Sequence, residues 1–142
     1  VFFLFSANKG MSPDELARVA SGGELSRLML CLKTLVAKKV HWPTLIFDEI
    51  DSGISGETAF RVGDMIHNIA VGRQVICITH LPQIAARGNC HYQVYKDFSG
   101  ETTTTNLKLL QKEERVSEIA RMLGGENPTA VAVENARELL AL

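Results

Sequence analysis

Apolar residues are spread along this chain in two rhythms. Val1 to Phe5, Thr44 to Phe47 and Gln74 to Thr79 are short, dense runs of strand length, and the last two have the pattern of strands buried on both faces. Between them the period lengthens. Leu25, Leu28, Met29, Leu32, Leu35 and Val36 recur at i, i+3, i+4, i+7, i+10 and i+11, which predicts a helix after the glycine pair Gly22-Gly23, ending near Lys38-Lys39 and carrying one apolar stripe. The terminal lysines suit its negative dipole end. Ala59, Val62, Ile66 and Ile69 predict a second helix from Gly56 to Ala70 with those four residues inward. Ser6 to Asp14 reads as a loop, and Leu81 to Arg87 as a short helix after Pro82.

The order strand, helix, strand across Thr44 to Thr79 is a βαβ unit, which implies parallel neighbours with active groups at the carboxyl ends of the strands. Tyr92 to Lys96 and Thr102 to Leu109 flank Asp97 to Glu101 as an antiparallel hairpin whose threonines fit β propensity. Val116, Ile119, Ala120 and Leu123 then mark a helix closed by Gly124-Gly125, and Thr129 to Leu142 forms a last amphipathic one. The expected fold class is α/β: a mostly parallel sheet flanked by helices, with an antiparallel hairpin toward the C-terminal side, in a single domain over residues 1–142.

Composition narrows the function classes. Of 142 residues, 46% are hydrophobic and 22% charged, enough for a folded core. Lys and Arg number 15 against 16 acidic residues, so no overall basic excess advertises nucleic acid or a membrane surface. No apolar run approaches the roughly 20 residues of a membrane-spanning helix. Cys31, Cys77 and Cys90 lack the paired spacing of a zinc site and read as small buried hydrophobes in a reducing cytosol. The chain opens at Val1 with neither an initiator methionine nor a leader pattern, which reads as an excised fragment.

Three strand and helix ends carry candidate chemistry. Asp48 and Glu49 close an apolar strand, and alternation along a strand would send one toward a metal shell and the other toward an attacking water. Ser21-Gly22-Gly23 opens a helix, where free backbone N–H groups form an anion site and glycines let phosphate approach. Taken alone, Ser21 and Glu24 are equally the cap and the dipole complement of an ordinary helix. His80 follows the second buried strand, positioned to hydrogen-bond a phosphoryl oxygen or to orient water. Together these are parts for phosphoryl transfer, but no stretch reads Gly-x-x-x-x-Gly-Lys-Ser/Thr, the loop that cradles a nucleotide's own phosphates.

The same residues resemble the C-terminal half of an ATP-binding-cassette head: signature motif at Ser21 to Glu24, Walker B at Thr44 to Glu49, D-loop at Ile50 to Gly53 and switch histidine His80. More narrowly, Val19 to Leu30, Ile46 to Gly56, Thr79 to Ala85 and Glu118 to Gly125 resemble the RecN family of bacterial DNA-repair proteins, and the resemblance covers nearly the whole chain. It implies an SMC-like ATPase head acting in double-strand-break repair, with ATP and Mg2+ as cofactors. Asp48 would serve magnesium through water, Glu49 would be the general base and His80 would contact the γ-phosphate. Ser21, Gly22, Gly23 and Glu24 would serve the opposite head's ATP, with Asp51 and Ser52 across the dimer interface. Implied partners are the chain's own N-terminal P-loop half, a second head in a homodimer, DNA through the full-length protein, and a recombinase as a candidate. The implied location is the bacterial cytoplasm at the nucleoid, with no membrane. Without the P-loop half the 142 residues alone are expected to be inactive. Two other readings are a transporter's nucleotide-binding subunit, whose signature usually carries Gln where Glu24 stands, and a DNA clasp that does not need hydrolysis.

Overall fold

The computed structural model describes residues 3–6, 9–10, 12–37, 39–40, 42–98, 100 and 102–141, and it packs as two compact units where one domain is expected. The first comprises Val1–Gly56 and Asn68–Thr79, the second Glu57–His67 and His80–Leu142. The elements in chain order are β1 (Leu4–Phe5), β2 (Asp14–Glu15), α1 (Leu16–Val19), α2 (Gly22–Ala37), β3 (Thr44–Phe47), α3 (Gly56–Ile69), β4 (Gln74–Cys77), α4 (Pro82–Ala85), β5 (Tyr92–Asp97), β6 (Thr104–Leu109), α5 (Lys112–Gly124) and α6 (Ala130–Leu139).

In the first unit β3 and β4 pair in parallel, Thr44 opposite Gln74 through Phe47 opposite Cys77. Side chains alternate across the pair. Leu45 and Phe47 are buried, with Leu30 and Ala37 of α2 and with Ile50 beyond the strand. Ile46 is 56% exposed, Ile76 44% and Ile78 56%. The expectation of strands covered on both faces therefore holds for one face only, because the described residues put no second layer over the other. The same is true of α2. Its stripe of Leu25, Met29, Leu32, Leu35 and Val36 is exposed, while Leu30 and Ala37 go inside.

The strand expected over Val1 to Phe5 begins outside the described residues. What is described is a two-residue antiparallel ladder, Leu4 opposite Glu15 and Phe5 opposite Asp14. Phe3 and Leu4 are exposed rather than buried, since so short a ladder provides no face to pack against. Of the three strand pairs among the described residues, only β3 with β4 is parallel.

The second unit is built on α5 and α6. Val116, Ile119, Ala120 and Ala136 form its core, with Ala85, Ala86, Met122, Val133, Leu139 and Leu140 packed against it. Burying a side chain the size of Ile119 stabilises by about 1.5–3 kcal/mol. Both helices have well-defined starts. Gln111 and Glu114 make a capping box on α5, and Thr129 Oγ1 accepts the Ala132 N–H at 3.2 Å on α6. Gly125, at φ 81°, ends α5 in a backbone conformation that a side chain would strain. The hairpin β5–β6 runs in register from Tyr92 opposite Leu109 to Asp97 opposite Thr104. Gln93 and Lys108 tie it to α5 through Glu118 and Glu114, whereas Tyr92, Val94, Leu107 and Leu109 on its other face are exposed. Arg115 donates to the carbonyls of Ala86, Gly88 and Asn89 and so holds the end of α4 to α5.

Candidate phosphate-binding and hydrolytic site

Strand β3 ends at Phe47, so Asp48 and Glu49 lie beyond the ladder, both exposed. The strand alternation expected to divide them does not operate here. Glu49 instead takes a left-handed backbone, φ 53°, a conformation that costs a non-glycine residue about 1–3 kcal/mol and tends to persist where surrounding structure imposes it. The imposing structure is the turn that follows. Ile50 is buried, the Ser52 N–H reaches the Glu49 carbonyl at 3.4 Å, the Ile54 N–H reaches Asp51 at 3.3 Å, and Gly53 at φ 71° completes the reversal.

Asp51 is 2% exposed, and its carboxylate accepts the Thr79 hydroxyl at 2.5 Å. Its side chain is thus turned into its own unit and not toward an outer surface. Beside it, burial first, then the Asp51 and Asp48 charges, push the Cys77 thiol up to about 12.

The start of α2 is doubly capped. Ser21 Oγ accepts the Glu24 N–H at 3.3 Å, while Glu24 Oε2 accepts from the Ser21 N–H at 2.8 Å and from its hydroxyl at 2.9 Å. Those bonds, the backbone one first, hold the Glu24 carboxyl below its usual range. Ser21 and Gly22 are exposed, as an anion site requires, and Gly23 is buried for a different reason. A Cβ on Gly23 would collide with the Ser52 carbonyl oxygen and stand 3.0 Å from Arg27 Nη1. Only glycine lets the helix start and the 51–53 turn meet. A shallow hollow lined by Leu25, Met29, Lys33, Phe47 and Asp48 lies alongside, with Lys33 Nζ donating to the Ile46 carbonyl at 3.2 Å.

The structure therefore gathers Ser21, Gly22, Gly23, Glu24, Asp48, Glu49, Asp51 and Ser52 in one unit. His80 opens the long segment of the second unit and is exposed. Arg27 and Thr79 belong beside these residues and were not singled out by sequence. Arg27 lies one helical turn after Gly23 on the same face, but that spacing does not point to Ser52. Thr79 gives no sequence signal of its own. Among the described residues no cluster of three or more acidic, His or Cys side chains could by itself hold a metal.

No family model matches the sequence. Whole relatives do. The chain is 44% identical to DNA repair protein RecN of Bacillus subtilis, 49% to that of Treponema pallidum and 47% to that of Deinococcus radiodurans, in each case over 99% of its own residues and 24% of the relative. This chain is similar to RecN throughout its length. It spans about a quarter of the length of these RecN relatives. Its fold is that of an SMC ATPase head. A chain from work on ATP-driven dimerization and DNA-stimulated activation of SMC ATPases matches with a TM-score of 0.61 at 20% identity, covering 83% of this chain and 70% of the other. The Smc head with a coiled coil and joint from Pyrococcus yayanosii matches with a TM-score of 0.62 at 23% identity, over 78% of this chain and 20% of that one.

Proposed function

We propose that this RecN-like chain is the signature and Walker B part of an ATPase head that works in bacterial DNA double-strand-break repair. The observation that carries this reading is the seating of Gly23 on the Ser52 carbonyl, which welds a phosphate-accepting helix start to the turn following two exposed carboxylates. Bound Mg-ATP would supply the electrophilic γ-phosphoryl group and its leaving group. Asp48 offers a hard oxygen donor for magnesium, through water. Glu49, exposed and left-handed in backbone, would accept the proton of the attacking water. His80 would contact a phosphoryl oxygen, and Ser21, Gly22 and the N–H groups opening α2 would receive the phosphates of ATP bound on a second head.

The 142 residues act as one functional half. The loop that would cradle the nucleotide's own phosphates is absent from them, and their open apolar face is the seat for the part of the polypeptide that carries it. Two such heads form the hydrolytic unit in the cytoplasm, at DNA. Glu24 in the signature and the RecN relatives disfavour a transporter subunit.

Magnesium-dependent ATP hydrolysis tests the reading, measured on this chain alone and joined to its upstream half. Turnover confined to the joined protein, falling by about 10²–10⁴-fold in Glu49→Gln, is expected. Robust turnover by the 142 residues alone, or full activity in Glu49→Gln, would overturn it.

A further inference from the structure

The turn after the two carboxylates is gripped from the side of α2. The Arg27 guanidinium, half-buried, donates from Nη1 to the Ser52 carbonyl oxygen at 3.1 Å. To get there it passes the bare Gly23, since a Cβ at that position would lie 3.0 Å from the same nitrogen. Gly23 and Arg27 are four residues apart on one helical face, so the glycine opens the path and the arginine uses it. The carbonyl is thereby fixed by contact and by charge. On the far side of the turn, Asp51 next to Ser52 is fixed by the Thr79 hydroxyl, one residue before His80. Arg27 joins the turn to the body of α2 through a charged hydrogen bond, the kind whose loss is felt most.

We propose that Arg27 is a positioning residue for hydrolysis, clamping the 51–53 turn to the start of α2 so that the Ser21-Gly22-Gly23 edge and the segment carrying Asp48 and Glu49 keep one fixed geometry. The proposal rests on the function given above. It assigns Arg27 no contact with nucleotide. Its effect therefore falls on the rate of the positioned step and hardly at all on ATP affinity.

In the full-length protein, Arg27→Ala lowers kcat for ATP hydrolysis on the order of tenfold and leaves KM within about twofold. Arg27→Lys keeps one cationic donor without the planar fork and recovers part of the loss. Thermal unfolding of both variants, run beside the kinetics, separates positioning from folding. A kcat deficit in protein of wild-type melting temperature, relieved in Arg27→Lys, supports the clamp. Wild-type kcat in Arg27→Ala overturns it, as does a deficit that follows the loss of folded protein and that Arg27→Lys does not relieve. Glu49→Gln tells the two failures apart: turnover lost there but kept in Arg27→Ala sinks the clamp alone, and turnover kept in both sinks the functional reading beneath it.

Discussion

Val116, Ile119, Ala120 and Ala136 of the second unit are 2% exposed or less, whereas Ile46, Ile76 and Ile78 on the sheet of the first unit range from 44% to 56%. Both units are made of aliphatic side chains on regular elements. What differs is the supply of covering surface: α5 and α6 bury each other, but β3 and β4 have α2 on one face and nothing described on the other. The residues proposed to act in phosphoryl transfer, His80 apart, belong to the uncovered unit. An unfinished core beside a well-made turn is what a site assembled from separate parts requires. Under the proposed function the turn would hold its residues ready and the open face would accept the part that completes them.

The contrast can be sharpened within the sheet itself, where the largest effect lies. Cys77 is on the inner face and its thiol is raised to about 12, so at pH 8 its thiolate fraction is about three orders of magnitude below that of an ordinary cysteine. Alkylation followed by mass spectrometry should label Cys31 and Cys90, both exposed where the sequence predicts burial, long before Cys77. Ile76→Cys, one residue away on the outer face, should label as fast as Cys31. Equal rates at 76 and 77 would mean that the sheet has no closed side.

Next in size is the cost of emptying each core. Ile119→Ala should destabilise the 142-residue chain by about 2–5 kcal/mol in urea unfolding. Ile46→Thr should change it by no more than about 0.5 kcal/mol, because that side chain is 56% exposed. Joined to the covering half, the same Ile46→Thr should become costly. A large penalty for Ile46→Thr in the chain alone would break the comparison. Smaller again is Thr79→Val, which deprives the buried Asp51 of a donor and should cost about 1–3 kcal/mol.

How much of this was legible in the sequence follows the same division. Periodicity located α2, α3, α5, α6 and the hairpin, and Ala59, Val62, Ile66 and Ile69 are all inside as their spacing requires. Periodicity reports which residues are apolar, not whether a partner layer is present. The stripe of α2 was read correctly as a stripe and proved to be uncovered. The motifs singled out Ser21, Gly23, Asp48 and Glu49, which the structure gathers in one unit, but the alternation argument for the acidic pair failed because the ladder stops at Phe47 and Glu49 turns left-handed. That turn depends on Ile50 being buried and on Gly53, which are tertiary and local facts together. The Arg27 to Ser52 bond crosses 25 positions, and no pattern within either segment announces it.

The smallest effects compare the two helix starts. Thr129→Ala removes one hydroxyl acceptor from α6 and should cost about 1 kcal/mol at any pH where the chain is folded. The start of α2 behaves differently because its cap includes a carboxylate. Glu24 has its carboxyl lowered chiefly by the Ser21 N–H and then by the Ser21 hydroxyl, so its contribution is fully present above the ordinary glutamate range near pH 4.5. It is lost as pH falls through the lower folded value, when protonation ends the acceptance of those bonds. Stability measured from pH 6 down to pH 3 should therefore decline less in Glu24→Gln than in the wild-type chain, with the difference confined to the acid end. In Thr129→Ala the curve should simply shift down. If Glu24→Gln shifts its curve uniformly as well, the two caps are of one kind. The Ser21 hydroxyl would then not be engaged by a charged neighbour, and the first unit's helix start would be as finished as the second's.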